Sequence, residues 1–319
     1  MDYLDWCNHF HTLKRHLEDT LKGMGYHAFF SNTLQPSIGF DPTNTIYQLA
    51  NGDLQERYLR TSPEREMKMA LAHSHTSLFE IGKVFRGGPE NQAPPYHIHE
   101  FWMCEFYKVN ATLPELIADI EYLLTKCWQA FRKSDLFIFE KMTFEELFQT
   151  TTGHNLTPWL QSQSPEAALE QLDFIYADKI QPELARRPGF TLITDFPYPM
   201  CALAKEAPHT RTLPDAHKRF LRAELSTQGL ELLNAYEEIE TLPELKTRLE
   251  QTLAYQRHQQ QNNGPLCDVR YEHALKKGLP KSSGCALGCD RLLMILLKSN
   301  QLMPHTTPSG TSGSPTVNP

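Results

Sequence analysis

The sequence predicts an α+β domain, and three observations carry the prediction. Residues Leu78 to Tyr107 read as strand, loop, strand. Phe220 to Ile239 reads as a second strand pair, with STQG at Ser226 to Gly229 as its turn. Two long segments, residues 3–23 and Leu113 to Arg132, carry apolar residues about once per turn and read as amphipathic helices. The chain has 319 residues, 40% of them hydrophobic, enough for one large domain with a sizeable core.

The composition narrows the function classes. The net charge is −7 and the isoelectric point near 6.1, a balance that argues against tRNA as the main partner, because nucleic-acid binders carry a basic surplus. Seven scattered cysteines without a CxxC pair indicate reduced thiols and a cytoplasmic setting rather than a disulfide frame. The N-terminus is charged and lacks the apolar core of a signal peptide. No segment has the roughly 18 apolar residues of a membrane span.

In chain order, the first helix places Leu4, Phe10, Leu13, Leu17 and Leu21 on one face and is stopped by Gly23 and Gly25. Tyr26 to Phe30 and Thr45 to Ala50 are short strand candidates, separated by a turn-rich stretch around Pro36, Gly39 and Pro42. Pro63 suits the first turn of a helix from Arg65 to about His73. The next strand ends at Arg86, and a loop with Gly87, Gly88 and Pro89 at one end and Pro94 and Pro95 at the other excludes helix and ladder. His97, His99, Phe101, Met103, Glu105 and Tyr107 share one parity on the following strand. A carboxylate placed there among aromatics needs a cation to offset its desolvation.

After the helix at Leu113 to Arg132 come polar helices and turns over residues 133–190, and then a strand from Phe190 to Asp195. In the stretch FLRAELSTQGLELLNAYEEI a helix would align Glu231, Asn234 and Glu238. A hairpin turning at Ser226 to Gly229 would instead set Glu224 opposite Glu231, and the STQG turn favours the hairpin. Two facing carboxylates suit a hard cation such as Mg²⁺, although a solvated acidic helix face has the same composition. Leu242 to Gln261 and Tyr271 to Lys277 read as helices. SSGCALGCDRLLMILL follows, a glycine-bearing strand running into a helix from Arg291 to Lys298 with Asp290 at its start. Cys285 and Cys289 within it read as buried small hydrophobes rather than a metal pair. From Met303 the composition is that of a disordered tail, so the expected organisation is a domain over residues 1–302 and a tail over 303–319. There is no GxxxxGK[ST] loop and no dinucleotide fingerprint.

Three of these stretches, in order, resemble the motifs of class II aminoacyl-tRNA synthetases, in the form used by lysyl-tRNA synthetases and their stand-alone relatives. FR…HIHEFWMCEFY resembles motif 2, GLELLNAYEEI resembles the GxELxNGFxEL pattern, and GCALGCDRLLM resembles motif 3. The resemblance spans roughly Thr61 to Leu297. It implies a mostly antiparallel sheet flanked by helices, and a homodimer, although the dimer-forming motif 1 region matches poorly.

The resemblance also implies roles. Arg86 would hold the α-phosphate of ATP and Arg291 the γ-phosphate, with Phe101 stacked on adenine and His97 near the distal phosphates. Glu224 and Glu231 would hold Mg²⁺. Glu64, in TSPE…MK, would grip an α-ammonium, although an acidic first helical turn explains it equally. Glu105 and Tyr107 would line the same pocket, Glu238 would face the side-chain ammonium of lysine or (R)-β-lysine, and Asn234 and Tyr236 would complete the walls. Three positions depart from the pattern. Ala235 and Ala286 replace glycines, and in the stand-alone relatives that modify elongation factor P an alanine at the place of Ala286 accompanies a β-amino acid substrate. Gly88 stands where the family has a glutamate that meets adenine, and Glu90 is the candidate substitute. An anticodon-binding barrel of roughly 100 residues has no room before Tyr58. The expected acceptor is therefore a lysine of elongation factor P. The alternatives are tRNA or another acceptor, or a non-catalytic paralogue.

Overall fold

An eight-stranded sheet organises the chain. The computed structural model describes residues 2–37, 46–49, 57–87, 98–201, 203–248, 269–276, 278–299 and 302. In their order across the sheet the strands are β1 (His27–Ala28), β5 (Leu78–Phe85), β6 (Glu100–Val109), β11 (Ser282–Gly288), β10 (Leu230–Glu237), β9 (Arg219–Thr227), β8 (Phe190–Pro197) and β7 (Phe139–Thr143). The six inner strands run antiparallel, and β1 and β7 add in parallel at the two edges. A small sheet of β2 (Leu34–Gln35), β4 (Arg57–Leu59) and β3 (Gln48–Leu49) lies apart.

One face of the large sheet is apolar because every second residue of each strand is. Phe79 and Ile81, Cys104 and Phe106, Cys285 and Leu287, Leu233 and Ala235, and Ala223 and Leu225 point into a single core. Helices α1 (Tyr3–Gly23), α3 (Leu113–Arg132) and α9 (Cys289–Leu296) cover that face. Asp2 caps α1, accepting from the Asp5 N–H at 2.8 Å, and Thr112 with Glu115 forms a capping box on α3. The buried stripe of α1 is Trp6, Phe10, Leu13, Leu17 and Leu21. Leu4, expected in it, is 72% exposed, because Trp6 lies one turn before Phe10 and stacks on its ring at 5.0 Å. Each such aliphatic side chain contributes roughly 1.5–3 kcal/mol when fully buried. Cys285 and Cys289 belong to this core.

Residues 133–190, which carry no legible role in the sequence, build their own layer. After β7 come α4 (Phe144–Thr152), α5 (Leu156–Gln161), α6 (Pro165–Ile175), a π-helical turn (Tyr176–Ile180) and α7 (Gln181–Arg186). Phe144, Phe148, Leu172 and Leu184 pack with Ile193 and Phe196 of β8. A third cluster joins α2 (Glu64–Ser74) to α8 (Val269–Leu275) through Met67, Leu71, Tyr271 and Leu275, next to Tyr107 and Ile239. A helix over residues 242–248 adds Leu245 to it.

The predicted elements that fall on the described residues are present, with shifted ends; of the helix expected at Leu242 to Gln261, residues 249–261 lie outside the described residues. The strand expected at Tyr26 to Phe30 pairs at His27 and Ala28; of that expected at Thr45 to Ala50, the described residues 46–49 pair at Gln48 and Leu49. The strand from Phe190 continues to Pro197. The last helix begins at Cys289 rather than Arg291, and the one before it spans Val269–Leu275 rather than Tyr271 to Lys277. Residues 303–319, the expected tail, lie outside the described residues.

Candidate active site

The second face of the sheet is as polar as the first is apolar. Residues paired across a sheet project from the same side. Glu80, Glu105, Ala286, Asn234 and Glu224 form one paired row across β5, β6, β11, β10 and β9. Leu78, Tyr107, Gly284, Tyr236 and Arg222 form the next. Val84 and Phe101 form a row toward the other end. At about 3.3 Å per residue, Phe101 and Tyr107 stand roughly 20 Å apart along β6.

The Tyr107 end is dry. The Lys68 ammonium is buried between Glu64, at 2.5 Å, and Glu238, at 2.6 Å, and lies 5.9 Å from the centre of the Tyr107 ring. Burial works against its charge, but Glu238 and Glu64 outweigh it and hold its pKa well above that of an ordinary lysine. The Tyr107 hydroxyl donates to Glu105 Oε1 at 2.6 Å. Glu105 Oε2 is buried with no hydrogen-bond partner among the described residues. Burial, and then the charge of Glu64, push the Glu105 carboxyl up to about 8, while the Tyr107 hydrogen bond and Lys68 pull it back. Burial raises Glu238 to about 6 against the pull of Lys68. Gly284 makes the space: a Cβ there would fall 2.2 Å from Tyr107 Cε1 and 2.9 Å from Glu238 Oε1.

Beside this pocket, Arg60 lies across Gly82 and donates to Glu80 at 2.6 Å and to the Lys83 carbonyl at 2.8 Å. That ion pair closes its own charge.

The other end is open. The Arg86 guanidinium lies 5.4 Å from the Phe101 ring centre, and its backbone N–H donates to the His99 carbonyl at 2.9 Å. Arg291 projects from the first turn of α9 and donates to the Glu231 carbonyl at 2.5 Å. That helix is locked to β6 by Asp290, which accepts from the Trp102 N–H at 2.6 Å; burial raises the Asp290 carboxyl to about 6. Glu231 is an exposed residue, but its carboxyl is crowded by Glu224, Arg222, Arg291 and Arg86. Burial and then Glu224 push it up to about 7, while Arg222, Arg291 and Arg86 oppose them. Burial lowers Arg291 from its ordinary value, Glu231 opposes that, and the like charge of Arg86 lowers it further. The two arginines and Glu231 therefore lie close enough to act on one another.

The hairpin reading of residues 220–239 holds, with Gln228 and Gly229 at positive φ in its turn. Its register differs from the expected one. Glu224 pairs with Asn234 and Glu231 with Ser226, and a bulge intervenes between Glu231 and Leu233. The bulge adds one residue, which turns Glu231 onto the face that Asn234 and Glu224 share. The two carboxylates are staggered neighbours, not opposite one another.

Glu64, Glu105, Tyr107, Asn234, Tyr236, Glu238, Ala286, Glu224, Glu231, Arg86, Phe101 and Arg291 thus stand on or beside one face of the sheet. His97, Glu90 and Gly88 lie outside the described residues. Three further side chains, not singled out by the sequence, contact these residues. Lys68 is one helical turn from Glu64, a spacing that signals contact. Arg222 donates to Glu224, to Asn234 Oδ1 at 3.3 Å and to the Met200 carbonyl at 2.6 Å. The Tyr176 hydroxyl, from the π-helical turn, donates to Glu224 Oε2 at 3.0 Å, and no local pattern announces it.

The sequence profile of the family described as tRNA synthetases class II (D, K and N) matches residues 8–304. The chain belongs to that family. Among curated proteins it is similar to elongation factor P–(R)-β-lysine ligase of Haemophilus influenzae (strain PittGG), 30% identical over 260 residues, or 77% of this chain and 75% of the relative. A homolog of that ligase in Aquifex aeolicus (strain VF5) is 30% identical over 265 residues, 80% of this chain and 82% of the relative. The ligase of Vibrio vulnificus (strain YJ016) is 29% identical over 259 residues, 75% and 74%. Among the described residues, no helix is long and apolar enough to cross a membrane.

Proposed function

We propose that this chain activates lysine or (R)-β-lysine with ATP, forming an acyl adenylate, and passes the acyl group to a lysine side chain of elongation factor P. The observation that supports the reading most is the two-ended polar face. Carboxylates gather at the Tyr107 end and arginines at the Phe101 end of the same strands. The printed names of the relatives support the acceptor.

Arg86 and Arg291 would grip phosphate oxygens with planar forks of donors, and Phe101 would offer its ring to the adenine. The pocket of Glu64, Glu105, Tyr107 and Glu238 would seat the ammonium groups and leave the substrate carboxylate aimed toward the arginines. Attack on the α-phosphorus then needs no protein nucleophile. Positioning and the stabilisation of charge building on the phosphoryl oxygens supply the acceleration.

Glu224 and Glu231 fit Mg²⁺ by donor chemistry: both are carboxylates, and burial followed by the charge of Glu224 raises the Glu231 carboxyl, a repulsion a dication would relieve. Glu224 already accepts from Arg222 and Tyr176, so its remaining lone pairs would serve. Among the described residues no three such ligands converge, so the ion would complete its shell from phosphates and water. Bound there, Mg²⁺ would neutralise developing phosphate charge.

A homodimer is part of the reading; Phe30, 85% exposed, and Leu34 and Leu49 are apolar surface in the region that would form it. Mass spectrometry of elongation factor P after incubation with ATP and each lysine isomer tests the proposal, with bulk tRNA as the competing acceptor. A mass gain of one lysyl group on a single lysine is expected. Charging of tRNA alone would replace the acceptor, and no pyrophosphate exchange with any amino acid would leave a non-catalytic paralogue.

A further inference from the structure

The pocket at the Tyr107 end contains an ammonium of its own. Lys68 sits between Glu64 and Glu238. The titratable groups that face it are Glu64 on its own helix, Tyr107 and Glu105 on β6, Glu238 just after β10, and Tyr271 on α8. The adjoining Arg60–Glu80 pair is balanced internally. Among the described residues, three carboxyl groups therefore share one resident cation. Fully ionised, they leave two negative charges unmatched.

From that count we infer that Lys68 is a positioning residue for substrate selection. It holds Glu64 and Glu238 at fixed places and sets the residual charge at two, so that the pocket is neutral only around a substrate with two ammonium groups. The inference rests on the diamino-acid reading above and adds the reason for it.

The unpartnered Glu105 Oε2 marks one place where a substrate cation is wanted, since a buried polar atom left unpaired is costly. Without a substrate, Glu105 eases the excess charge by holding a proton, consistent with a carboxyl pushed up to about 8. An ammonium arriving beside it displaces that proton to solvent. A substrate with one ammonium would leave a buried charge or a protonated carboxyl behind, and a pocket built for polar partners rejects such analogues by about 10³-fold or more.

The test compares wild type, Lys68→Met and Lys68→Arg in pyrophosphate exchange from pH 6 to 9, with lysine and with norleucine, which lacks the terminal ammonium. Lys68→Met removes the cation that lowers both Glu105 and Glu238. Its KM for lysine is expected to rise about tenfold at pH 7, the equivalent of one unit of carboxyl pKa. Its kcat should change far less, and the KM–pH profile should move to higher pH. Lys68→Arg should keep the wild-type profile. A folded Lys68→Met protein with an unmoved KM–pH profile overturns the inference.

If Lys68→Met does not fold, Glu105→Gln decides, because it removes one unmatched charge. The lysine-over-norleucine preference should then fall at least about tenfold, and an unchanged preference overturns the inference. If the wild type activates no amino acid, the functional reading fails by itself. The charge count then stands on infrared spectra at pH 7, where Lys68→Met must show one more protonated carboxyl than wild type; equal spectra overturn it.

Discussion

The two ends of the polar face handle charge in opposite ways. At the Tyr107 end, Lys68, Glu105 and Glu238 are almost wholly buried, and one lysine is shared among an excess of carboxyl groups. At the Phe101 end, Arg86 and Arg291 repel each other, and Glu231 opens to solvent. A dry site discriminates, because every unmatched charge in it is costly. An open site with surplus donors suits a large polyanion that brings its own charge and is held at several points.

That contrast can be broken at either end. The largest effect is expected from Arg86→Ala or Arg291→Ala, each lowering pyrophosphate exchange by about 10²–10³-fold, the scale of a lost donor to a transition-state oxyanion. Near-normal exchange in either variant would remove the open end from the chemistry. Next is Gly284→Ala. Its Cβ would meet the Tyr107 ring at 2.2 Å and Glu238 at 2.9 Å, and overpacking of this kind costs about 1–3 kcal/mol. A lowered melting temperature together with lost amino-acid binding is expected.

Smaller, and opposite in sign, is the stability change from Glu105→Gln. The folded Glu105 carboxyl is raised to about 8, so its contribution is intact below the unfolded value of about 4.3 and declines as pH climbs through about 8. The variant is therefore expected to be more stable than wild type by about 1–2 kcal/mol at pH 8.5, the advantage vanishing near pH 4. Denaturant melts at the two pH values check it; a gain that persists at low pH would show that charge is not the cause. The smallest effect is expected from Tyr176→Phe, which deletes the hydrogen bond to Glu224. A cost of about 1 kcal/mol in stability, with a few-fold weaker Mg²⁺ dependence of exchange, would tie residues 133–190 to the open end. An unchanged Mg²⁺ titration would leave Tyr176 a packing residue.

Much of this site was legible in the sequence because strands carry local information. The alternation of β6 assigns Phe101, Glu105 and Tyr107 to one face before any coordinates exist, and the structure keeps them there, with Cys104 and Phe106 in the core behind. The hairpin turn was readable in STQG. The register was not, since one bulge residue shifts which side chain Glu231 accompanies, and bulges leave no compositional trace. Leu4 was misassigned because a stripe read at one residue per turn cannot say which member begins it. Trp6, two positions on, has the larger area to bury.

Taken alone, the sequence determined the class of the fold, the family and which side chains face together along each strand, because these follow from periodicity and motifs a few residues long. Only the tertiary structure decided how those faces are charged. Glu64 and Glu238 lie far apart in the chain yet share one lysine, and Tyr176 reaches Glu224 from another layer. The physical reason is that a buried charge is settled by whatever cation or hydroxyl packing brings within about 3 Å, and packing partners distant in sequence have no period to reveal them.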